Sequence, residues 1–164
     1  PLNIAIGPPA HKNDERRMMS LFFAKEGQHV VCGGTTSKIA ADYLGEKVEV
    51  SAFSPDPDIP PISTIKGIDL ATEGIITLDK VLIYAKDYLA DNKSFEQWNY
   101  KKDGASLAAR KLFEEATDIN MFIGRAENPA HQDMPINFNV KMQIINELAD
   151  CLEQMGKRVK KLYF

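Results

Sequence analysis

"VVCGGTTSKIAADYLGEKVEV", residues 30–50, decides the fold. Val30-Val31-Cys32 is a short apolar run of the kind that forms a buried strand. Gly33 and Gly34 break it, and Thr35 or Thr36 then supplies a hydroxyl that caps a helix. That helix carries Ile39, Ala40, Tyr43 and Leu44 and is closed by Gly45. From Lys47 to Phe53 the pattern alternates through Val48 and Val50, which predicts a third strand. Strand, glycine turn, helix and strand in this order form a crossover unit of a parallel sheet.

The same rhythm runs outward in both directions. Leu2 to Ile6 is an apolar strand ended by Gly7-Pro8-Pro9. Asn13 or Asp14 caps a helix with Met18, Met19, Leu21, Phe22 and Phe23 that stops at Gly27. "SPDPDIPPI", residues 54–62, has four prolines in nine residues, which remove donors and predict an extended loop without a domain boundary. Ile62 to Leu70 is a strand candidate, and Thr77 or Asp79 begins a helix through Leu89 whose apolar positions keep the helical period. Residues 92–104 are polar with three aromatics, Phe95, Trp98 and Tyr100. They read as a loop anchored by its rings, the alternative being a partner surface. A helix from Ala105 to Ala116, a strand at Ile119–Ile123, a loop, a helix from Val140 to Met155 and a strand from Val159 to Phe164 complete the chain. The expectation is one α/β domain over residues 1–164: three layers, a mostly parallel sheet with helices on both faces, Rossmann-like.

Composition narrows the function classes. The 164 residues include 20 basic and 23 acidic ones, a formal net charge of −3, which argues against a nucleic-acid surface. No apolar run approaches the length of a membrane span, no secretory leader is visible, and the two cysteines, Cys32 and Cys151, form no framework. A reducing cytoplasmic compartment is expected. The chain begins at Pro1 and enters a strand at once, which predicts a domain with a partner upstream in a longer protein.

In a parallel sheet the loops after the strands gather on one edge, and four polar loops qualify: residues 7–9, 33–36, 72–74 and 124–132. Amides at a helix start have no internal partner and favour negative charge. Gly33 and Gly34 let backbone approach an anion, Thr35 and Thr36 add hydroxyls and Lys38 a cation; the alternative is that the glycines serve only the turn and a threonine only the cap. The spacing is neither that of a P-loop nor Gly-x-Gly-x-x-Gly. Glu73 is either an acceptor or base at this edge or a carboxylate capping the next helix. Asp69, inside a strand pattern, suggests a satisfied hydrogen bond or an edge position. Arg125, Glu127, Asn128, His131 and Gln132 crowd one loop that reads as a turn or as ligand contacts, with His131 a candidate for proton transfer. No metal site is read: His11, His29 and His131 lack ligand spacing, and a solvated loop accounts for Asp56 and Asp58. Cys32 is either a small buried residue or a thiol activated by the helix start.

"VVCGGTTSKIAADYLG", "DPDIPPISTIKGIDLATEGIITLDKVL" and "FIGRAENPAHQD" together resemble the C-terminal domain of bacterial serine phosphatases of the stage II sporulation protein E-like family. The resemblance runs from "IAIGPP" to "GKRV", with Ser37 in place of an expected alanine and Ala71 in place of an expected valine. It implies that a metal-dependent phosphatase domain lies upstream and holds the two divalent metals. Its strand-borne aspartate motifs are absent from these residues, where Asp103-Gly104 is the sole Asp-Gly pair, so no cofactor is expected here. The joint is also similar, as a single loop, to the phosphate-gripping loop of sugar-phosphate isomerases. Three functions follow as expectations. The first is a non-catalytic regulatory domain that binds an anionic, in one version phosphorylated, small molecule. It would use Gly33, Gly34, Thr35, Thr36, Lys38, Glu73, Arg125, Asn128 and His131. The second is a small-molecule isomerase or hydrolase using Glu73 or His131. The third is a dimerising or interaction module, a homo-oligomer built on Phe95, Trp98 and Tyr100.

Overall fold

The computed structural model describes residues 1–127 and 138–164. Strand β1 (Leu2–Ile6) leads through a 3-10 turn to α1 (Glu15–Ala24), then β2 (Gln28–Cys32) and α2 (Gly34–Leu44). Two-residue strands β3 (Glu49–Val50) and β4 (Ser63–Thr64) precede β5 (Leu70–Thr72) and α3 (Ile75–Leu89). Helices α4 (Phe95–Tyr100) and α5 (Gly104–Arg110) follow, the latter running into a π-helical turn at Lys111–Glu115. Strand β6 (Asp118–Ile123), α6 (Phe138–Gln154) and β7 (Arg158–Tyr163) close the chain.

The seven strands form one sheet in the order β3-β4-β5-β2-β1-β6-β7. Neighbours from β5 to β7 are parallel, and the β3–β4 and β4–β5 pairs are antiparallel. The chain therefore steps from β1 through β2 to β5 and then returns to place β6 on the other side of β1. This reversal lies between β1 and β6, the point at which open α/β sheets commonly leave a crevice.

Successive strand residues point oppositely, and the sequence uses both directions. Leu2, Ile4 and Ile6 of β1 and Ile119, Met121 and Ile123 of β6 pack with Leu78, Val81 and Ala85 of α3, Ala105 and Ala109 of α5 and Leu148 and Leu152 of α6. The alternate residues Ala5, Val31 and Phe122 pack with Met18, Met19 and Phe22 of α1 and Ala40 of α2. Each fully buried aliphatic or aromatic side chain contributes roughly 1.5–3 kcal/mol by leaving water, which is why near-continuous apolar runs become central strands.

Several expectations change. The strand expected over Lys47–Phe53 is only Glu49–Val50, antiparallel to Ser63–Thr64, with Val50 and Phe53 exposed. Its alternation reflects a sheet margin rather than a half-buried parallel strand. The strand expected over Ile62–Leu70 splits at a turn around Lys66-Gly67, and pairing resumes at Leu70–Thr72. The stretch expected as a loop over 92–104 contains α4, and Trp98 is completely buried against Phe95, Tyr88 and Phe113. Trp98 thus belongs to the core, Phe95 is half-buried against it, and Tyr100 is 72% exposed.

Candidate functional site at the tips of β2 and β5

Helix α2 begins at Gly34 with Gly33 as its N-cap, and α3 begins at Ile75 with Gly74 as its N-cap. Among the described residues neither has a side-chain cap, so the expected threonine cap of α2 and the Glu73 cap of α3 do not form. The first helical bonds run from Ser37 N–H to the Gly33 carbonyl, at 2.8 Å, and from Leu78 N–H to the Gly74 carbonyl, at 3.0 Å. The three amides before each of these lack intrahelical partners.

The two helix starts are neighbours. Gly33 N–H donates to the Thr72 carbonyl at 2.9 Å, and a Cβ on Gly74 would stand 3.5 Å from the Gly33 Cα. Gly33 has φ 118°, a backbone that L side chains rarely adopt, so its glycine is required by the joint itself. A Cβ there would also meet the Thr36 hydroxyl at 3.1 Å. Over Gly34 an added Cβ has no neighbour within 4 Å among the described residues.

Buried polar groups elsewhere are mostly satisfied. Asn3 donates to the Glu26 and Gln28 carbonyls at 3.0 and 3.1 Å and accepts from Asn120. Asp103 caps α5, accepting from the Ser106 amide and hydroxyl at 2.9 and 2.7 Å. Among the described residues five buried side-chain atoms have no partner, and three are at this joint: Thr36 Oγ1, Glu73 Oε2 and Thr77 Oγ1. Thr36 and Thr77 are the third residues of α2 and α3 and are 1% and 0% exposed. Burying an unpaired polar group costs about 1–3 kcal/mol, so their concentration here distinguishes the joint from an ordinary turn.

Of the other expected residues, Thr35 and Lys38 are exposed on α2. Arg125 turns the other way. Its Nε donates to the Phe164 carbonyl at 3.4 Å, and its guanidinium lies over the Tyr163 ring. Strand β1 separates its strand, β6, from β2, a distance of about 10 Å at the usual strand spacing. The structure does not join Arg125 to the glycine joint. Asn128, His131 and Gln132 lie outside the described residues. Asp69 accepts from the His29 amide at 2.7 Å, the satisfied bond its position suggested, and the Asp56 carboxylate accepts from the Asp58 amide within its own loop. Cys32 ends β2 beside the joint, but burial pushes its thiol up to about 11, with the Glu73 charge acting in the same direction. It is a small buried residue and not a neutral-pH nucleophile.

Sequence reasoning offered Thr77 only as a start of its helix, which in the structure begins two residues earlier at Ile75, and it passed over Lys141. Thr77 falls at the helical period among apolar residues, and only the start of α3 at Ile75 places it at the third position. Lys141 of α6 sits at the β1–β6 reversal, where its Nζ donates to the Gly124 carbonyl at 2.8 Å next to Gly7. Burial lowers its pKa from 10.5 to about 8. Between those values the unfolded chain binds the proton that the folded chain has lost, so this group makes stability rise with pH across the window. Lys141→Met is expected to raise stability at pH 7 by about 1–2 kcal/mol, after the lost hydrogen bond is set against relief of the buried charge. The gain over the parent chain should shrink from pH 8 to 10.5 in urea unfolding measured across that range. A gain independent of pH would refute the assignment.

Near the β5 tip, residues 51–55, Ile62, Lys102 and Asp103 line a cavity of about 320 Å³. The next residue, Gly104, packs against Thr72, where a Cβ would stand 3.2 Å from the threonine side chain. No helix of the described residues is long and apolar enough to cross a membrane, and no described cluster of His, Cys, Asp and Glu could hold a metal. No family model, curated protein or solved structure matches the chain.

Proposed function

We propose that the chain is a regulatory ligand-binding domain that takes a small molecule through an anionic group at the tips of β2 and β5. The reading includes a three-layer, Rossmann-like arrangement with α1 and α2 on one face of the sheet and α3, α5 and α6 on the other. The alternation of strand residues between two apolar clusters supports it. One observation carries the binding reading: two uncapped helix starts lie side by side, each with a buried, unpartnered threonine hydroxyl at its third residue. Each helix start is equivalent to about half a positive charge, and adjacent starts add. The resemblance to the C-terminal domain of stage II sporulation protein E-like phosphatases supplies the regulatory context. Ligand binding would bias an upstream phosphatase by its differential affinity for two states of the longer protein.

A second reading, a small-molecule enzyme in which Glu73 takes a proton from the bound molecule, is favoured by the Oε2 of Glu73, which has no partner among the described residues. Turnover by the chain that is lost in Glu73→Gln would support it.

Gly34→Ala separates a ligand site from a plain turn. The position has space for a methyl and ordinary helical geometry, so the substitution should leave the fold intact or stabilise it by about 0.4–1 kcal/mol. The same methyl would stand where a ligand must approach the backbone. In a thermal-shift screen of anionic metabolites, the parent chain should be stabilised by at least one compound and the variant by none. Equal shifts in both chains would place the ligand elsewhere.

A further inference from the structure

We infer that the ligand of this joint is a small zwitterion, a carboxylate with a protonated amine close by as in an α-amino acid, rather than a phosphate ester. This rests on the binding reading above and goes further by counting charge. Among the described residues of the joint, Glu73 carries the formal charge, one negative, and it forms no ion pair. The Cys32 thiol beside it is neutral at pH 7. Lys38 extends into solvent and Arg125 is held at Phe164, so neither cation is inside. The two helix starts bring together about one positive charge. The described residues of the joint are thus near balance, with the positive amides of two helix starts and one unpartnered carboxylate oxygen.

A bare carboxylate would leave one negative charge uncompensated, and a phosphate ester, at about −1.5 to −2, would leave more. Like charges held close together in partly screened surroundings repel strongly. A zwitterion satisfies both halves. Its carboxylate accepts from the free amides of Gly34 and Thr35 and from the Thr36 or Thr77 hydroxyl, and its ammonium donates to Glu73 Oε2. The unpaired buried atoms of the joint are then the groups that this ligand class would pair.

The test uses the 164-residue chain in thermal-shift and calorimetric titrations with the twenty amino acids, their N-acetyl forms, inorganic phosphate and glycerol phosphate. At least one amino acid should bind, its N-acetyl form should bind at least tenfold more weakly, and the phosphates should not compete with it. Glu73→Gln, which removes a charge that has no partner to lose, should fold normally and weaken amino-acid binding at least tenfold. Amide chemical shifts of Gly33, Gly34 and Gly74 should move on binding. Phosphate binding that shifts these same amides and tightens in Glu73→Gln would overturn the zwitterion while leaving the anion site standing. If neither class moves these amides, both readings fall.

Discussion

Trp98→Ala is expected to destabilise the chain by about 3–5 kcal/mol, lowering the melting temperature by roughly 10 °C or more for a domain of this size. The indole is fully buried, edge-on to Phe95 and Phe113 with ring centroids 5.2 and 5.4 Å away and tilted against Tyr88 at 6.2 Å. Truncation leaves a cavity among rings that cannot all collapse into it. The indole N–H has no hydrogen-bond partner among the described residues, so its removal returns a little of that loss without changing the sign. The result bears on function because a partner surface built on Phe95, Trp98 and Tyr100 predicts the opposite: an unchanged melting temperature and a changed oligomeric state. Thermal unfolding with light scattering on the same samples decides between them. Tyr100→Ala is the companion variant, and its exposed ring predicts a change of no more than about 0.5 kcal/mol.

Gly124→Ala is expected to be nearly as damaging, for a different reason. Gly124 follows β6, and its amide donates to the Ile6 carbonyl at 2.9 Å, which draws the two strand ends together. The Gly7-Pro8 backbone crosses directly over it, so an added Cβ would overlap the carbonyls of both residues. Backbone cannot swing aside as a side chain can. The loop after β1 would have to lift, breaking the bonds from Ala126 to the Pro8 carbonyl and from Ala10 to the Phe164 carbonyl. Overpacking of this kind costs typically 1–3 kcal/mol, and the loss of these bonds adds to it. A loss of about 3 kcal/mol in urea unfolding is the expected outcome; a loss under 0.5 kcal/mol would mean that the crossing is not held as described. The joint at Gly33 and Gly34 sits two strands away, so ligand binding there should survive in the folded fraction.

The β1–β6 reversal is where general rules for open α/β sheets place a ligand, yet here it is crossed by the Gly7-Pro8 backbone and reached by Lys141. Three of the five unsatisfied buried polar atoms among the described residues lie instead at the tips of β2 and β5, one and two strands beyond β1. The position of a site in such a fold depends on which strand ends leave amides and hydroxyls unpaired, and strand order alone does not say this.

What the chain declares by itself is the alternation of strands and helices. Apolar runs such as Leu2–Ile6, Val30–Cys32 and Ile119–Ile123 and the helical period of residues 78–85 are local properties of burial, and they reappear as β1, β2, β6 and α3. The Gly-Gly-Thr-Thr joint and Glu73 were legible as polar punctuation after strands for the same reason. Local pattern could not say that the Val48–Val50 alternation lies at the sheet margin, nor that Trp98 is core. It could not say that Arg125 turns to Phe164 or that Thr77 becomes the counterpart of Thr36. Each of these depends on which segments lie side by side, and partners distant in sequence are chosen by packing the whole chain. The sheet brings Gly33 and Gly74, 41 residues apart in number, within contact, and that closeness makes two ordinary helix starts into one candidate site.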